Sequence, residues 1–200
     1  SLVPIMIIGT VSINRSRAAM EDNVSRYSRE IAIQTSAQVL SQLEVYSDIL
    51  REISISSQIS DFVKSVSYGD ILEISNSTRE LQAYLLTKSV TSNVDDIGFI
   101  PKDGDREFFS KRIIYKQNKE GIYNMIMNSD DKPRWIYMET AEVDEANPSN
   151  SNVSQVNMPV LFRRVRSTVS SEIIGVVYLI PKREALYSLI SGIELDQAGD

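Results

Sequence analysis

Asn14–Val66 reads NRSRAAMEDNVSRYSREIAIQTSAQVLSQLEVYSDILREISISSQISDFVKSV and contains neither proline nor glycine. Its apolar residues recur in steps of three and four, which places them on one side of an α-helix. They are Met20, Val24, Tyr27, Ile31, Val39, Leu43, Tyr46, Leu50 and Ile53. The spacing predicts one long helix, which would extend for roughly 75–80 Å at 1.5 Å per residue. Two helices separated by a break near Ser54–Ser57 are the alternative.

A helix of that length exceeds what a domain of this size can bury, since the mean globular helix has roughly 11–12 residues. We therefore expect residues 14–66 to form a stalk, anchored at one end and carrying a domain at the other. The apolar stripe from Met20 to Ile53 predicts that two copies of the helix pair, which would make the protein a homodimer.

The composition excludes several classes of function. An apolar fraction of 42% and a charged fraction of 24% are typical of a folded protein. The net charge of -6 argues against a nucleic-acid partner, because no basic face is available to neutralise phosphates. Cysteine and histidine are absent, which removes thiol nucleophiles, disulfides, the usual zinc and haem ligands and the commonest general base. We therefore predict neither a metal site nor a cofactor.

The first thirteen residues, SLVPIMIIGTVSI, are uncharged and mostly apolar. They are too few to cross a bilayer, which takes about twenty residues, and a core helix or a signal-peptide remnant has this length too. Because they run directly into the long helix, we predict the outer half of a transmembrane helix in a piece of a longer protein. Arg15 and Arg17 favour the cytoplasmic side under the positive-inside rule, but they could also extend to the outer interface.

The rest of the chain alternates turn signals with short apolar runs. We predict a helix over 71–90 with Asp70 as its N-cap, strands over 94–100, 107–115 and 134–140, a helix over 118–128, a surface loop over 142–155, a hairpin of strands 156–166 and 172–180, and a helix over 182–193. Consecutive strands joined by hairpins predict an antiparallel sheet with its helices on one side, which is an α+β fold.

No catalytic site is predicted. Asp103-Gly104-Asp105 resembles the start of a calcium loop, but position twelve is Ile114 where a glutamate is required, so a hairpin turn is favoured. Asp95 and Asp96 are adjacent on a strand and point to opposite faces, so they cannot act as a catalytic pair. Asp130-Asp131-Lys132-Pro133 is typical of a turn, and nucleotide-binding and hydrolase motifs are absent.

Arg134-Trp135-Ile136-Tyr137 is the strongest candidate for a binding site. Trp135 and Tyr137 share one face of the strand, and Arg134 and Ile136 share the other. An indole beside a phenol forms an apolar wall with polar edges, which suits a small polar ligand. Packing within the sheet is the alternative.

Cationic side chains on a neighbouring strand extend this candidate site. Arg164 and Arg166 share a face, opposite that of Arg163, and could hold a ligand carboxylate, although exposed solubilising charge is the alternative. We include Tyr123, on the short helix, among the candidate ligand contacts.

The arrangement resembles the extracytoplasmic sensor region of bacterial receptors with a Cache (PDC-type) domain, above all that of two-component sensor histidine kinases. In that family a transmembrane helix runs into a stalk helix, as SLVPIMIIGTVSINRSRAAMEDNVSRYSREI does here. Val94–Tyr115 resembles the first hairpin and Lys132–Trp135 the strand that lines the pocket. Ile173–Ile180 and Glu184–Ile190 resemble the last strand and the exit helix. Amino-acid-binding members carry Arg-x-Trp-Tyr, from which Arg134-Trp135-Ile136-Tyr137 is one residue out of step.

The resemblance implies a division of the chain. Residues 1–13 would end a transmembrane helix, 14–66 form the stalk, 67–192 form a PAS-like, membrane-distal sensor module, and 193–200 begin a truncated second module. It implies a small-molecule sensor at the cell membrane, extracellular or periplasmic, whose parent protein is a histidine kinase. This piece itself would not be an enzyme. The class of ligand and the type of output module stay open, since the sensor region of a chemotaxis receptor or of a diguanylate cyclase fits the same pattern. A stalk-and-head interaction protein without a ligand is the rival from another class.

Overall fold

The computed structural model describes residues 3–102, 107–108, 112–114, 116–142, 155–168 and 170–187. Its helices are α1 (Val3–Ser54), α2 (Ser57–Tyr68), α3 (Ile71–Thr91) and α4 (Lys116–Met127). Its strands are β1 (Asp96–Pro101), β2 (Arg112–Ile114), β3 (Arg134–Glu142), β4 (Gln155–Arg166) and β5 (Ile173–Ile180). The chain divides into two compact units, one of residues 43–186 and one of Ser1–Gln42 with Tyr187–Asp200.

The five strands form one antiparallel sheet in the order β1-β5-β4-β3-β2. The β4–β5 hairpin lies at its centre, and β1 pairs with the outer side of β5. Phe108, which precedes β2, forms an isolated bridge with Phe99 of β1. A long N-terminal helix followed by an antiparallel sheet with flanking helices confirms the predicted α+β fold.

The long helix ends earlier than residue 66, so the prediction of one continuous helix over 14–66 is wrong at its C-terminal end. α1 stops at Ser54 and α2 starts at Ser57. The Ser54 hydroxyl donates a hydrogen bond to the carbonyl of Arg51 over 2.8 Å, and Ser56 is extended with ψ 147°. Serine favours helix ends over helix interiors because its side chain bonds to nearby backbone, which is consistent with a break in this serine-rich segment.

α1, α2 and α3 cover one face of the sheet, which we call the stalk-side face. Phe62 of α2 packs edge-on against Phe99 and Phe108, with ring centroids 6.3 Å and 4.6 Å away. The same buried cluster contains Tyr46, Leu50, Ile53, Ile59, Leu81, Leu85, Ile97, Leu161, Val177 and Leu179. Burying each large apolar side chain contributes roughly 1.5–3 kcal/mol, so this layer supplies much of the stability.

α4 covers the opposite face, which we call the α4-side face, so the prediction that all helices lie on one side is wrong. Ile126 of α4 packs into a second buried cluster with Ile100, Met138, Met158, Val160, Phe162, Val176, Tyr178 and Ile180. The physical reason is the composition of β5, in which consecutive residues from Gly175 to Ile180 are all buried. A strand that is apolar on both faces needs cover on both.

Several other elements predicted from the sequence can be compared with the structure. Asp70 caps α3 by accepting a hydrogen bond from the backbone N–H of Glu73 over 2.8 Å, as predicted. The closing helix is present over residues 183–187, and its predicted remainder lies outside the described residues. The turn at 103–105 and most of the predicted loop over 142–155 also lie outside them. In the described part of the chain, no helix has both the length and the apolar run that crossing a bilayer requires.

Candidate functional site

β3 directs Trp135 and Tyr137 to the stalk-side face. Trp135 pairs across the sheet with Leu161, a member of the stalk-side cluster, and its ring stands edge-on to Tyr46 of α1 with 6.1 Å between centroids. The Trp135 side chain is still 36% exposed, and that of Tyr137 is 72% exposed. The two rings therefore share a face, as the alternation along a strand requires.

Arg134 takes the opposite, α4-side face together with Ile136, which packs against the α4-side cluster. Its guanidinium donates a hydrogen bond to a carboxylate oxygen of Asp130 over 3.3 Å. The sheet consequently lies between this arginine and the Trp135–Tyr137 pair. A shift of one residue relative to Arg-x-Trp-Tyr has this effect, because it moves the indole to the other face of the strand.

Arg164 and Arg166 of β4 converge on Asp131, in the turn that follows α4. Arg164 Nη2 donates to Asp131 Oδ1 over 2.7 Å, and Arg166 Nε donates to Oδ1 and Oδ2 over 3.0 and 3.1 Å. The hydrogen bond from Arg166 and the positive charge of both guanidiniums lower the pKa of the Asp131 carboxyl. Arg164, only 8% exposed in its side chain, also donates to the carbonyl of Met127 over 3.1 Å. These arginines thus fasten the C-terminal end of α4 to the sheet.

Tyr123 fastens the middle of α4. Its hydroxyl donates to the backbone carbonyl of Lys102 over 2.6 Å, just beyond β1, and its ring packs against the α4-side cluster. Tyr123, Arg134, Arg164 and Arg166 therefore lie on the α4 side of the sheet. Trp135 and Tyr137 do not join them.

The sequence analysis missed a buried polar group beneath α4. Tyr178 of β5 is fully buried, and its hydroxyl donates to a carboxylate oxygen of Glu107 over 2.8 Å. Burial first, and then the nearby charges of Glu107 and Asp96, raise the pKa of Tyr178 well above its ordinary value. Asp96 is itself buried and accepts a hydrogen bond from the N–H of Ile97 over 2.7 Å. Two carboxylates and a phenol thus lie near one another on the α4-side face.

Gly98 was the one signal in the sequence that could have indicated this group. It pairs directly with Tyr178, and a Cβ at residue 98 would lie 2.1 Å from Cζ of that ring. A glycine inside an apolar strand marks the close approach of another group. The identity of that group depends on a strand roughly eighty residues further on, which local patterning does not provide.

The α4-side face therefore combines an apolar floor with a few fixed polar groups. Thr140, also buried, adds a hydroxyl that donates to the carbonyl of Val156 over 3.2 Å. Small-molecule sites typically have this composition, in which apolar walls supply affinity and a few polar groups fix orientation. Among the described residues, no three carboxylate, histidine or cysteine side chains come together to hold a metal ion.

Comparison with known proteins gives a match only at the level of structure, since no protein-family model and no curated protein sequence matches the chain. The sensor domain of the V. cholerae histidine kinase DctB is 12% identical with a TM-score of 0.53, over 90% of this chain and 61% of that one. The ligand-binding domain of the Campylobacter jejuni chemoreceptor Tlp3, solved with L-valine, is 12% identical with a TM-score of 0.56, over 86% and 64%.

The fold is that of a Cache (PDC-type) sensor domain. A third solved structure of this kind is the ligand-binding domain of the Pseudomonas aeruginosa PAO1 amino acid chemoreceptor PctC with GABA, at 14% identity and a TM-score of 0.50, over 84% of this chain and 68% of that one. The chain spans about three fifths of the DctB and Tlp3 domains. All three structures with this Cache fold are sensor or ligand-binding domains of receptors, and none is a catalytic domain.

Proposed function

We propose that this chain is the extracytoplasmic small-molecule sensing domain of a membrane-bound bacterial receptor. The observation that carries the proposal is the Cache fold, which the chain shares with sensor domains solved with small ligands such as L-valine and GABA. The mixed apolar and polar surface beneath α4 supports it, since a sensor needs fixed hydrogen-bonding groups on an apolar floor. Fold alone does not determine function, so the proposal rests on both together.

We further propose that the receptor is a sensor histidine kinase, as the likeness to the DctB sensor domain suggests. The kinase activity would lie elsewhere in the protein, and this domain would have no catalytic role. The likeness to Tlp3 and PctC supports a chemotaxis receptor as the alternative output. The proposed division of the chain into a membrane anchor (1–13), a stalk (14–66), a sensor module (67–192) and the start of a second module (193–200) belongs to the same proposal. Within it, the stalk segment from residue 43 onward packs into the compact unit that holds the sheet.

The ligand would bind between α4 and the sheet. Buried polar groups at Asp96, Thr140 and Tyr178 support this face, as do the contacts that position α4. Trp135 and Tyr137 remain candidate contacts on the stalk-side face, where Trp135 already packs against Tyr46. Mutation can therefore distinguish a ligand bound on the α4-side face from one bound on the stalk-side face, because the sheet separates the two positions.

Signalling would follow from a shift between two arrangements of the domain. A ligand stabilises whichever arrangement it binds more tightly, and can shift the populations only by that difference in affinity. The last turns of α1 are buried in the stalk-side core through Tyr46, Leu50 and Ile53. A rearrangement of that core would therefore displace the helix, and the helix would carry the displacement towards the membrane.

The proposed homodimer would use only the N-terminal part of the predicted Met20–Ile53 stripe, because Tyr46, Leu50 and Ile53 at its other end are buried in the stalk-side core. Met20, Val24, Tyr27 and Ile31 all have exposed side chains and recur at helical spacing. An exposed apolar stripe on one helix suits pairing with a second copy. Sedimentation of the chain should show a dimer that Val24→Asp weakens, and equal sedimentation of the two proteins would remove this part of the proposal.

The proposed function is tested by thermal unfolding of the chain in the presence of a metabolite library. We expect one chemical class to raise the midpoint by several degrees, because a ligand that binds the native state raises its apparent stability. The stabilisation, taken relative to each variant's own midpoint, should fall in Tyr123→Ala and persist in Trp135→Ala.

A screen in which well-folded protein shows no stabilisation would favour the stalk-and-head interaction protein instead. One observation supports that second candidate. Tyr68, Ile71 and Leu72 lie within five residues at the α2–α3 turn, and all three side chains are largely exposed. Exposed apolar patches of this kind mark protein-binding surfaces.

A further inference from the structure

A cleft lies on the stalk side of the sheet, away from the surface beneath α4. It has a volume of about 700 Å³ and runs between α2, the α2–α3 turn and the β4–β5 hairpin. Ligand sites commonly occupy roughly 300–1,000 Å³, so a small molecule fits. The cleft is lined by Ser60, Asp61, Val63, Lys64, Ser65, Ser67, Tyr68, Gly69, Glu73, Ser167, Ser170, Glu172 and Ile174.

The charges around the cleft are unbalanced. Among the described residues that line the cleft, Lys64 is the one cation, and it pairs with Asp61 over 3.4 Å. Glu73 and Glu172 approach from the α3 and hairpin sides, and neither has an ion pair with any other residue that the structure describes. With three carboxylates and one ammonium, the lining has a net charge of -2. A positively charged occupant would reduce this repulsion.

Hydrogen bonds within the protein already engage three serines of the cleft, Ser65, Ser67 and Ser167, so the carboxylates decide the ligand class. The Ser65 hydroxyl donates to the carbonyl of Phe62 over 2.8 Å, and that of Ser67 donates to the carbonyl of Val63 over 2.9 Å. The Ser167 hydroxyl accepts from the N–H of Ser170 over 3.2 Å. These bonds shape the walls and leave Glu73 and Glu172 as the strongest acceptors.

An apolar element completes the lining. Tyr68, at the end of α2, is 92% exposed, and Val63 and Ile174 are partly buried in the stalk-side core. The face of a phenol ring attracts cations, and the aliphatic floor suits a hydrocarbon body. The described residues contain no cluster of three carboxylates close enough to bind a metal ion. The spread of negative charge therefore suits a larger organic cation.

We propose that this cleft is a second binding site, which takes a small organic cation with an aliphatic body, such as an alkylammonium. The ammonium lies between Glu73 and Glu172, and the aliphatic part rests against Tyr68 and Ile174. The site is independent of the proposed sensing surface, because it lies on the other side of the sheet. A failure of one proposal therefore leaves the other untouched.

The test is an NMR titration of the full 15N-labelled chain with n-butylammonium and, separately, with n-butanol, its neutral counterpart. We expect a saturable shift of the Gly69 amide with n-butylammonium, and a much weaker one with n-butanol. The affinity should fall with added salt, since exposed charges are screened within about 10 Å at 0.1 M. A shift of equal size with both compounds, or no saturable shift, would overturn the proposal.

Charge-removing variants test whether Glu73 and Glu172 bind the ammonium group. The double variant Glu73→Gln/Glu172→Gln should weaken n-butylammonium binding about tenfold, which is what the loss of two partly exposed ion pairs amounts to. The matched control, Glu44→Gln/Glu80→Gln, removes the same charge from exposed positions outside the cleft and should leave the affinity unchanged. Equal affinities for the two double variants, both confirmed as folded by their unfolding midpoints, would contradict the assignment.

Discussion

The two faces of the sheet differ in chemistry although they share the same strands. On the stalk-side face, α1, α2 and α3 cover an apolar cluster in which Phe62 contacts Phe99 and Phe108 edge to face. The buried polar residues on this side, Ser54 and Ser89, belong to the helices and not to the sheet. On the α4-side face, apolar residues surround the buried polar groups of Asp96, Thr140 and Tyr178. The strands present apolar side chains to one face, and on the other they also hold hydrogen-bonded polar groups.

Burying a polar group costs free energy unless it is hydrogen-bonded. A sheet that only had to fold would use apolar residues on both faces. The asymmetry therefore supports a functional role for the α4-side face. The same asymmetry predicts that substitutions on the stalk-side face should destabilise the protein, and that substitutions on the α4-side face should alter what it binds.

The largest expected effect is on the stalk-side face. Phe62→Ala removes a fully buried ring that contacts two other aromatic rings, and should lower the free energy of unfolding by about 3–5 kcal/mol. Urea denaturation measures this loss. Tyr68→Ala, on the same helix but almost fully exposed, is the matched control and should change stability by less than about 0.5 kcal/mol. Similar losses for the two variants would contradict the packing described for this face.

A smaller effect is expected on the α4-side face. Tyr178→Phe keeps the ring against Gly98 but removes the hydrogen bond to Glu107, and should cost about 1–3 kcal/mol because a partly buried carboxylate loses one of its hydrogen-bond donors. Tyr137→Phe removes an exposed hydroxyl from the other face and should cost almost nothing. Urea denaturation of both variants makes the comparison. A neutral Tyr178→Phe would show that the buried polar group is not tightly coupled to the fold.

The smallest effect concerns the turn that holds the end of α4. Because the pKa of Asp131 is lowered in the folded protein, its contribution to stability is present above the ordinary carboxyl pKa and is lost as the pH falls through the lowered one. Asp131→Asn should therefore lower the free energy of unfolding slightly at neutral pH, by less than about 1 kcal/mol for so exposed a pair, as urea denaturation would measure. The difference from wild type should shrink as the pH falls below about 4 and vanish only below the lowered pKa of Asp131. A constant difference down to pH 2 would argue against this ion pair.

Local patterning predicted most of the elements of the fold. Two β-branched runs separated by a serine-rich turn gave the β4–β5 hairpin, and Asp70 signalled the start of α3. The apolar spacing favoured one helix over a break after Ser54, because it continues through Ile53 up to that point. The position of α4 was not predictable in this way. Its side of the sheet depends on whether β5 needs cover on both faces, which is a property of the assembled sheet.

The candidate site was predictable only in part. Alternation along β3 correctly separated Arg134 from Trp135, and the shared face of Arg164 and Arg166 followed from the same rule. The polar group around Tyr178 was not predictable. Glu107 is some seventy residues away in the chain, and it meets the phenol only through the pairing of β1 with β5. A buried hydrogen bond between distant residues leaves no periodic signal in the sequence.

Hydrogen–deuterium exchange of the chain, with and without the most stabilising compound from the metabolite screen, tests the central claim most directly. The account predicts slower exchange of the amides of α4 (Lys116–Met127), because a ligand bound between that helix and the sheet suppresses its local opening. The amides of α1 to α3 should change little. Protection confined to α1, α2 or α3, with α4 unaffected, would contradict the assignment of ligand binding to the α4-side face.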